Sequence, residues 1–430
     1  MKYLPIDAHL FVKNRKKLAA RLQPNSMAII LSNDEMPRSG DGLFPFRQNP
    51  DLFYLSGIDQ ERVSLIIYPD CPNPAYREAL FIRRTNETIA IWEGHKYTIS
   101  EAQAASGIQN VYWEDEMDNV LPSLMAYCEN VYVNINENDR AAIQVPVRDI
   151  RFANKLRQDY PAHQLLRLGP IMQYLRSIKE PEEIALTRKA CEITRDAFIK
   201  VLKFVKPGVG EYEIEAEIIH EFTRQRGTGH AYAPIIASGK SACVLHYNEN
   251  NKIVQDGDLI LMDFGAEYAN YAADLTRTIP ANGKFSPRQK DVYNACLRIQ
   301  NAGIELFNTS LTLVEYNNEL GKITESELIQ LGLLDKIAVK NQNPKAPLYK
   351  KYFMHGAGHF LGIDVHDVGP RYEKIQYGNV FTIEPGIYIP AENIGIRIED
   401  NIHITADGNV NLMYDIPKTV EEIEDIMLGS

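Results

Sequence analysis

Cysteine is scarce in this chain, and its spacing excludes two classes of protein. The five cysteines are odd in number and scattered, and no two of them form a CxxC pair: Cys71, Cys128, Cys191, Cys243 and Cys296. This pattern argues against a disulfide framework and against a thiolate zinc site. It predicts buried, reduced thiols in a reducing compartment.

Long apolar runs and excess positive charge are also missing. The N-terminal stretch MKYLPIDAHLFVKNRKKLAARLQ has no uncharged apolar core of signal-peptide length, and no run elsewhere is long enough to span a bilayer. The net charge is −11, whereas a protein that binds a nucleic-acid backbone needs a basic surface. We therefore expect a cytoplasmic protein with no membrane contact and no nucleic-acid partner.

Two common catalytic patterns are incomplete in the segment 234–243. The SGKS sequence at 238–241 resembles part of a P-loop, but Pro234 stands where the P-loop requires its first glycine. Ser241 lies in GKSAC, which lacks the second glycine of a nucleophile elbow. The sequence thus argues against a nucleotide-binding site and against a serine hydrolase.

The chain of 430 residues exceeds what one hydrophobic core usually supports, so we expect two domains. Strand-like segments such as 26–32, 63–69 and 130–136 alternate with helix-like segments and predict an α/β domain over residues 1–174. Longer helices, one starting at Pro181 and one capped by Ser286, predict an α+β domain over residues 175–430.

Four carboxylates lie in two predicted β-hairpins of the second domain. Asp263 and Asp274 are in the hairpin 258–279, and Glu384 and Glu399 are in the hairpin 379–405. The repeated arrangement suggests an internal duplication.

A carboxylate inside an apolar strand is costly unless a positive charge meets it. Arg277 or Arg397 could neutralise one carboxylate each, but four such carboxylates indicate bound metal. Carboxylates with at most one or two imidazoles and no thiolate suit Mn²⁺ better than structural zinc.

The segments around these residues resemble those of a known family. LMDFGAEYANYAADLTRT, HGAGHFLGIDVHD (355–367), FTIEPGIYI and GIRIED resemble the signature segments of the pita-bread metallopeptidases, which include methionine aminopeptidase, prolidase and aminopeptidase P. RSGDGLFPFRQNPDLFYLSGID (38–59) and IAIWEGHKYT (89–98) resemble the amino-terminal domain of bacterial aminopeptidase P. The resemblance implies a pita-bread catalytic domain, similar to creatinase and methionine aminopeptidase, behind an aminopeptidase P-like N-terminal domain.

The resemblance also implies two divalent metal ions, Mn²⁺ first and Co²⁺ or Zn²⁺ as alternatives, with a hydroxide bridging them. The implied ligands are Asp263, Asp274, His359, Glu384 and Glu399. The implied reaction is removal of the N-terminal residue from peptides with proline in second position. Glu384 would act as ligand and as acid and base. The implied assembly is a homodimer or homotetramer.

Further residues receive roles only from the resemblance. His246, His355 and His366 would contact the substrate, and Arg397 would orient carboxylates. The role of Tyr388 stays open. Asp41 and Trp92 would lie near the mouth of the active site. For Asp41 and Trp92 a turn aspartate and a core tryptophan are equally good interpretations.

Two alternatives stay open within this fold. One is a prolidase, which cleaves only Xaa-Pro dipeptides and shares the metal ligands. The other is a non-peptidase member, although such members have lost ligands that are all present here. The segment IPAENIGIRIED is shorter than in the proteobacterial-type enzymes, which leaves the preferred peptide length open.

Overall fold

The computed structural model describes residues 3–137 and 144–429, and the chain divides into two compact units, residues 3–176 and 177–430. The predicted domain division, 1–174 and 175–430, stays a prediction.

The first unit is built on a mixed β-sheet. Its strands are β1 (Ser26–Leu31), β4 (Ser64–Ile67), β5 (Glu78–Ile82), β6 (Val111–Trp113), β7 (Asn130–Val133) and β8 (Gln164–Arg167), in the order β6-β5-β4-β1-β7-β8. The central strands β1 and β4 are buried along their whole length, as expected for apolar runs between layers of helices. A separate short hairpin pairs β2 (Pro37–Ser39) with β3 (Gly42–Leu43).

Helices of the first unit connect these strands. They are α1 (Ala8–Ala19), α2 (Pro50–Ser56), α3 (Glu87–Glu93), α4 (Ile99–Ser106), α5 (Met117–Met125), α6 (Arg148–Asp159) and α7 (Gly169–Ser177), which ends at the unit boundary. The alternation of strands and helices confirms the predicted α/β character of this part of the chain.

Longer helices characterise the second unit. They are α8 (Pro181–Phe204), α9 (Glu211–Arg224), α10 (Pro287–Leu306), α11 (Leu313–Gln330), α12 (Lys336–Lys340) and α13 (Val420–Leu428). The predicted starts are confirmed: α8 begins with Pro181, and Ser286 caps α10 by accepting a hydrogen bond from the backbone of Gln289.

The strands of the second unit form short antiparallel sheets. In chain order they are β9 (Gly229–His230), β10 (Ile235–Ser238), β11 (Leu259–Phe264), β12 (Ala266–Tyr268), β13 (Tyr271–Ala272), β14 (Leu275–Pro280), β15 (Val380–Ile383), β16 (Gly386–Ile389), β17 (Ile394–Arg397), β18 (Asp400–Thr405) and β19 (Gly408–Asn411). The sheet orders are β10-β11-β14, β13-β12-β9, β15-β18-β19 and β16-β17.

Each predicted carboxylate hairpin is in fact a broken hairpin. In the first, β11 pairs with β14 and the tip is a separate pair, β12 with β13. In the second, β15 pairs with β18 and β16 pairs with β17. The expectation that each carboxylate lies within a continuous strand is therefore wrong for three of the four, because the chain leaves the ladder beside Asp274, Glu384 and Glu399.

Arg277 is buried and holds the backbone at the strand break beside Glu399. It donates to the carbonyl oxygen of Glu399 at 2.7 Å and to Oδ1 of Asp400 at 2.6 Å. Burial alone would raise the pKa of Asp400, but Arg277 and Lys418 lower it to about 2, so the ion pair stays charged. Arg277 thus neutralises Asp400 and not one of the four predicted metal ligands.

Two further expectations concern the cysteines and membrane-spanning segments. All five cysteines are free thiols, and four of them are buried as predicted; the expectation of burial is wrong for Cys243, which is half-buried. Among the described residues, no helix combines the length and the apolar character that crossing a membrane requires.

Candidate metal centre

The strand breaks bring the four carboxylates to one place. Asp263 lies near the end of β11, and Asp274 directly precedes its partner strand β14. Glu384 directly follows β15, and Glu399 directly precedes β18. At a break the side chain is no longer constrained to alternate across the ladder, so it can turn toward a shared centre.

His359 is the imidazole at this centre. Its Nε2 lies 3.3 Å from Oδ2 of Asp274 and 3.6 Å from Oε1 of Glu384. Ligand atoms of Asp274, His359 and Glu399 all lie within 4.8 Å of one another. The segment 355–367 thus contributes His359 to the cluster of carboxylates.

The orientation of His359 suits a metal ligand. Its Nδ1 is 2.9 Å from the carbonyl oxygen of Phe360, which accepts the ring proton and leaves Nε2 with a free lone pair. Gly358 allows the backbone to approach this closely, because a Cβ atom there would lie 2.0 Å from the carbonyl oxygen of Thr382.

Tyr232 and Arg397 hold the carboxylates of the first hairpin. The Tyr232 hydroxyl is 2.7 Å from Oδ1 of Asp263 and 2.5 Å from Oδ1 of Asp274. It has one proton, so it donates to one carboxylate at a time. Arg397 donates from Nη2 to Oδ2 of Asp263 at 2.6 Å. Asp263 thus has a permanent donor on Oδ2 and shares the Tyr232 proton with Asp274.

Glu399 and Asp274 have their own polar supports. Thr276 donates to Oε2 of Glu399 at 2.6 Å and accepts from Nε of Arg397 at 3.1 Å. The side-chain amide of Asn401 donates to the carbonyl oxygen of Asp274 at 2.6 Å and accepts from its N–H at 3.1 Å. These contacts fix Asp274 and Glu399 relative to each other across the break.

Burial and mutual repulsion perturb the acids of this cluster. Burial raises the pKa of Glu384 to about 7, and the charges of Asp274 and Asp263 act in the same direction. Burial, followed by the charges of Asp274, Glu384 and Asp263, raises the pKa of Glu399 well above its usual range. Burial also raises the pKa of Asp263, although Arg397 opposes the shift. Such a group of acids is stabilised in its ionised form by a nearby cation.

The donor set fits divalent metal. Oε1 of Glu399 is buried and has no hydrogen-bond partner, although a buried carboxylate oxygen without a partner is costly. Glu399 belongs with Asp274 and His359 to a group of residues whose ligand atoms are mutually close. Carboxylate oxygens with one imidazole nitrogen are the ligands of hard or borderline divalent ions.

A hydrogen-bonded chain links His355 to Arg397. Nε2 of His355 is 2.9 Å from the Tyr388 hydroxyl, and Arg397 donates from Nη1 to that hydroxyl at 2.8 Å. Nδ1 of His355 is 3.8 Å from Oε2 of Glu384. Burial and the charge of Arg397 lower the pKa of His355 to about 3, so the ring is neutral near pH 7. Tyr388, left open by the sequence analysis, is the central member of this chain.

His366 lies beside His359, and His246 lies close enough to His355 for its charge to act on that ring. The ring of His366 lies edge-on to that of His359, with 4.4 Å between the centroids, and His366 is exposed. The neighbouring Asp367 forms an ion pair with Lys179 at 2.7 Å, with side chains only 0% and 2% exposed, which anchors this end of the segment. His246 is exposed in the turn after residues 239–243.

Asp41 and Trp92 belong to the first unit. Asp41 is in the exposed turn between β2 and β3, and Trp92 is in α3 with 84% of its surface exposed. The interpretation of Trp92 as a core residue is therefore wrong. Its predicted place near the active-site mouth stays a prediction, as does that of Asp41.

Sequence reasoning missed three supporting residues: Tyr232, Thr276 and Asn401. Thr276 and Asn401 each lie two positions after a predicted ligand, Asp274 and Glu399. Asp274 and Glu399 lie at strand breaks, where residues two apart need not point to the same side, so this spacing is only a weak signal. Tyr232 has no comparable signal, because only the tertiary fold brings it to Asp263.

Comparisons with known proteins agree with this geometry. Residues 185–406 match the pattern of metallopeptidase family M24, and residues 11–132 match the aminopeptidase P N-terminal domain. The chain is 35% identical to a Xaa-Pro aminopeptidase of Escherichia coli, covering 99% of both chains. It is 30% identical to human Xaa-Pro aminopeptidase 3, covering 96% of this chain and 83% of the relative.

Solved structures show the same similarity. A zinc-substituted aminopeptidase P of Escherichia coli in complex with product has a TM-score of 0.88 and 34% identity, with 99% of both chains covered. Aminopeptidase PepP of Pseudomonas aeruginosa has a TM-score of 0.88 and 31% identity, again with 99% of both chains covered.

Proposed function

The chain belongs to metallopeptidase family M24, and we propose that it is a metal-dependent Xaa-Pro aminopeptidase whose reaction is carried by Glu384 and the histidines around it. The observation that carries the proposal is the buried group of Asp274, His359 and Glu399 with Glu384 beside it. The full-length similarity to Xaa-Pro aminopeptidases supports the activity. The pita-bread fold class predicted from the signature segments is confirmed by the same comparisons.

Asp263, Asp274, His359, Glu384 and Glu399 would hold two divalent metal ions. When bound, the ions supply Lewis acidity, which makes water a nucleophile near neutral pH and offsets negative charge on the substrate carbonyl oxygen. We propose Mn²⁺ as the metal in the cell because oxygen ligands dominate the set. Zinc occupies a related enzyme, and Co²⁺ is the other alternative.

Glu384 is the proton carrier in this proposal. An acid–base group must lie within reach of the protons it moves, and the Glu384 carboxylate lies 3.6 Å from His359 and 3.8 Å from His355, between the proposed metal ligand and the proposed proline side of the site. It accepts a proton from the attacking water and delivers it to the proline nitrogen of the departing peptide. The same carboxylate therefore serves both halves of the reaction.

The chemistry of the substrate bond limits how the site can recognise it. A Xaa-Pro bond has no N–H, and the proline ring restricts the residue before it, so recognition relies on the carbonyl oxygen and the ring. His355 is neutral and is held by Tyr388, and it lines the proline side. His366 and His246 are exposed and contact the substrate.

His366→Ala is expected to lower kcat by about 10²-fold, because a donor to the developing oxyanion is lost, while both metal ions stay bound. Metal content and kcat measured on the same preparation check this. His220→Ala is a matched control, since His220 is an exposed histidine on α9 that contacts Lys200. Loss of metal from His366→Ala would contradict the assignment of His366 to the substrate.

A peptide-length series with added Mn²⁺ tests the activity itself. We expect release of the first residue from Xaa-Pro tripeptides and longer peptides, and no cleavage when alanine replaces the proline. Cleavage confined to Xaa-Pro dipeptides would identify a prolidase and overturn the choice of aminopeptidase. Inactivity on every Xaa-Pro peptide with metal bound would favour a non-peptidase member of the fold.

The remaining proposals concern the localisation of the enzyme, its oligomeric state and the residues that each domain contributes. We propose a cytoplasmic homodimer or homotetramer, with catalytic residues in 175–430 and Asp41 and Trp92 of the N-terminal domain contributing to substrate binding. The exposure of Trp92 supports a contact role. Sedimentation analysis of the purified protein tests the assembly.

A further inference from the structure

A basic stretch lies directly before the histidine-rich segment 355–367. Residues 336–351 contain five lysines and no acidic residue, in a chain whose net charge is −11: Lys336, Lys340, Lys345, Lys350 and Lys351. All five side chains are exposed. We name residues 336–351 the lysine segment. Its charge is opposite to that of the molecule as a whole, so it creates a local positive field.

The structure places the end of the lysine segment beside His355. Nζ of Lys350 donates to the carbonyl oxygen of His355 at 3.2 Å. The Phe353 ring joins the two, because its centroid is 4.8 Å from the His355 ring and 5.9 Å from Nζ of Lys350. His355 in turn contacts Glu384 and Tyr388. His355 therefore lies between the Lys350 ammonium and the proposed catalytic residue Glu384.

Local contacts hold the C-terminal end of the lysine segment in this position. Residues Leu348–Lys351 form a 3₁₀ turn, and the Tyr388 N–H donates to the carbonyl oxygen of Tyr352 at 2.9 Å. Lys350 lies over the Tyr349 ring at 5.1 Å, and Lys351 lies over the Tyr352 ring at 5.0 Å. Aromatic rings support the alkyl chains while the ammonium groups stay in water.

Nearby acids do not cancel the charge of the segment. Gln342 donates to Glu325 at 2.6 Å, and Asp335 caps α12 through the backbone of Ala338. Among the residues that the structure describes, neither carboxylate forms an ion pair with a lysine of the segment, and two acids cannot neutralise five lysines.

We propose that the lysine segment makes the enzyme favour peptides that carry a carboxylate shortly after the proline. This inference rests on the proposed function, in which His355 lines the proline side of the site. Residues that follow the proline then pass the lysine segment. The carboxylate can be an aspartate or glutamate side chain or the C-terminus of a short peptide, because both present the same charge to Lys350 and Lys351.

The test compares peptides that differ in one charge. Ala-Pro-Glu-amide and Ala-Pro-Gln-amide isolate the side-chain carboxylate, and Ala-Pro-Gln with a free or an amidated C-terminus isolates the terminal one. In 20 mM buffer we expect kcat/KM to be about threefold higher for the charged member of at least one pair, the size of an exposed ion pair. The preference should disappear in 0.5 M NaCl, because salt screens exposed charges.

Two variants locate the effect. Lys350→Met keeps an alkyl chain over Tyr349 and Phe353, and with Lys351→Met it should reduce the preference to about one. Lys322→Met is the matched control: it removes one exposed lysine, paired with Glu319 on α11, and should keep the preference. Equal kcat/KM within both pairs, or a preference that survives Lys350→Met with Lys351→Met, would overturn the inference. Failure of the proposed function would look different, since no Xaa-Pro peptide would be cleaved.

Discussion

Glu384→Ala is expected to lower kcat/KM for a Xaa-Pro tripeptide by about 10³-fold or more. General acid–base catalysis contributes 10²- to 10⁴-fold, and the substitution also removes a proposed metal ligand. Glu384 lies 3.6 Å from His359 and 3.8 Å from His355, so no other side chain of the cluster can take over both contacts. Steady-state kinetics at saturating Mn²⁺ measures the effect.

Metal analysis of the same variant separates the two contributions of Glu384. We expect weaker retention of metal after dialysis, because the remaining ligands carry one negative charge less. Glu392→Ala is the matched control: Glu392 follows β16 and pairs with Arg288 at 2.7 Å, and its loss should leave kcat/KM and metal content unchanged. Full activity of Glu384→Ala would refute its role as proton carrier.

Removal of the metal is expected to abolish turnover and to make stability depend on pH. Without cations, the folded state holds Glu384 with a pKa of about 7 instead of its ordinary 4.5, because burial and neighbouring acids disfavour its charge. The folded state then binds the proton more tightly than the unfolded state. The stabilising contribution is full below pH 4.5 and is lost as the pH rises through 7.

This difference lowers the free energy of unfolding as the pH rises from 4.5 to 7. The raised pKa of Glu399 and of Asp263 acts with the same sign. Thermal unfolding of chelator-treated protein should therefore show a Tm that falls between pH 5 and pH 8. The metal-loaded protein should lack this fall, since bound cations favour the ionised carboxylates. Identical pH profiles with and without metal would contradict a metal centre at these residues.

Much of the fold was predictable because local rules control it. Pro181 and Ser286 begin helices where their backbone preferences place them, and apolar runs such as 26–31 become buried strands. The family was predictable for a different reason, since the segments around Asp263, His359, Glu384 and Glu399 are contiguous patterns in the sequence.

The resemblance already gave Arg397 a role beside the carboxylates, but the contact partners within the candidate site were not predictable. Tyr232 reaches Asp263 across 31 residues of sequence and Asp274 across 42. Arg397 reaches Asp263 across 134 residues. Contacts at such separations depend on how the two broken hairpins pack, and no periodicity of the sequence records that packing.

The sequence by itself determined the chemistry available to this protein: four acids in two related hairpins, one histidine segment and a lysine segment before it. Only the tertiary structure decided which groups meet. It placed Arg277 on Asp400 and Arg397 on Asp263, and it left Oε1 of Glu399 without a hydrogen-bond partner. The physical reason is that residue type fixes what a side chain can bind, whereas burial and distance, which set its pKa and its partners, arise only when distant segments pack together.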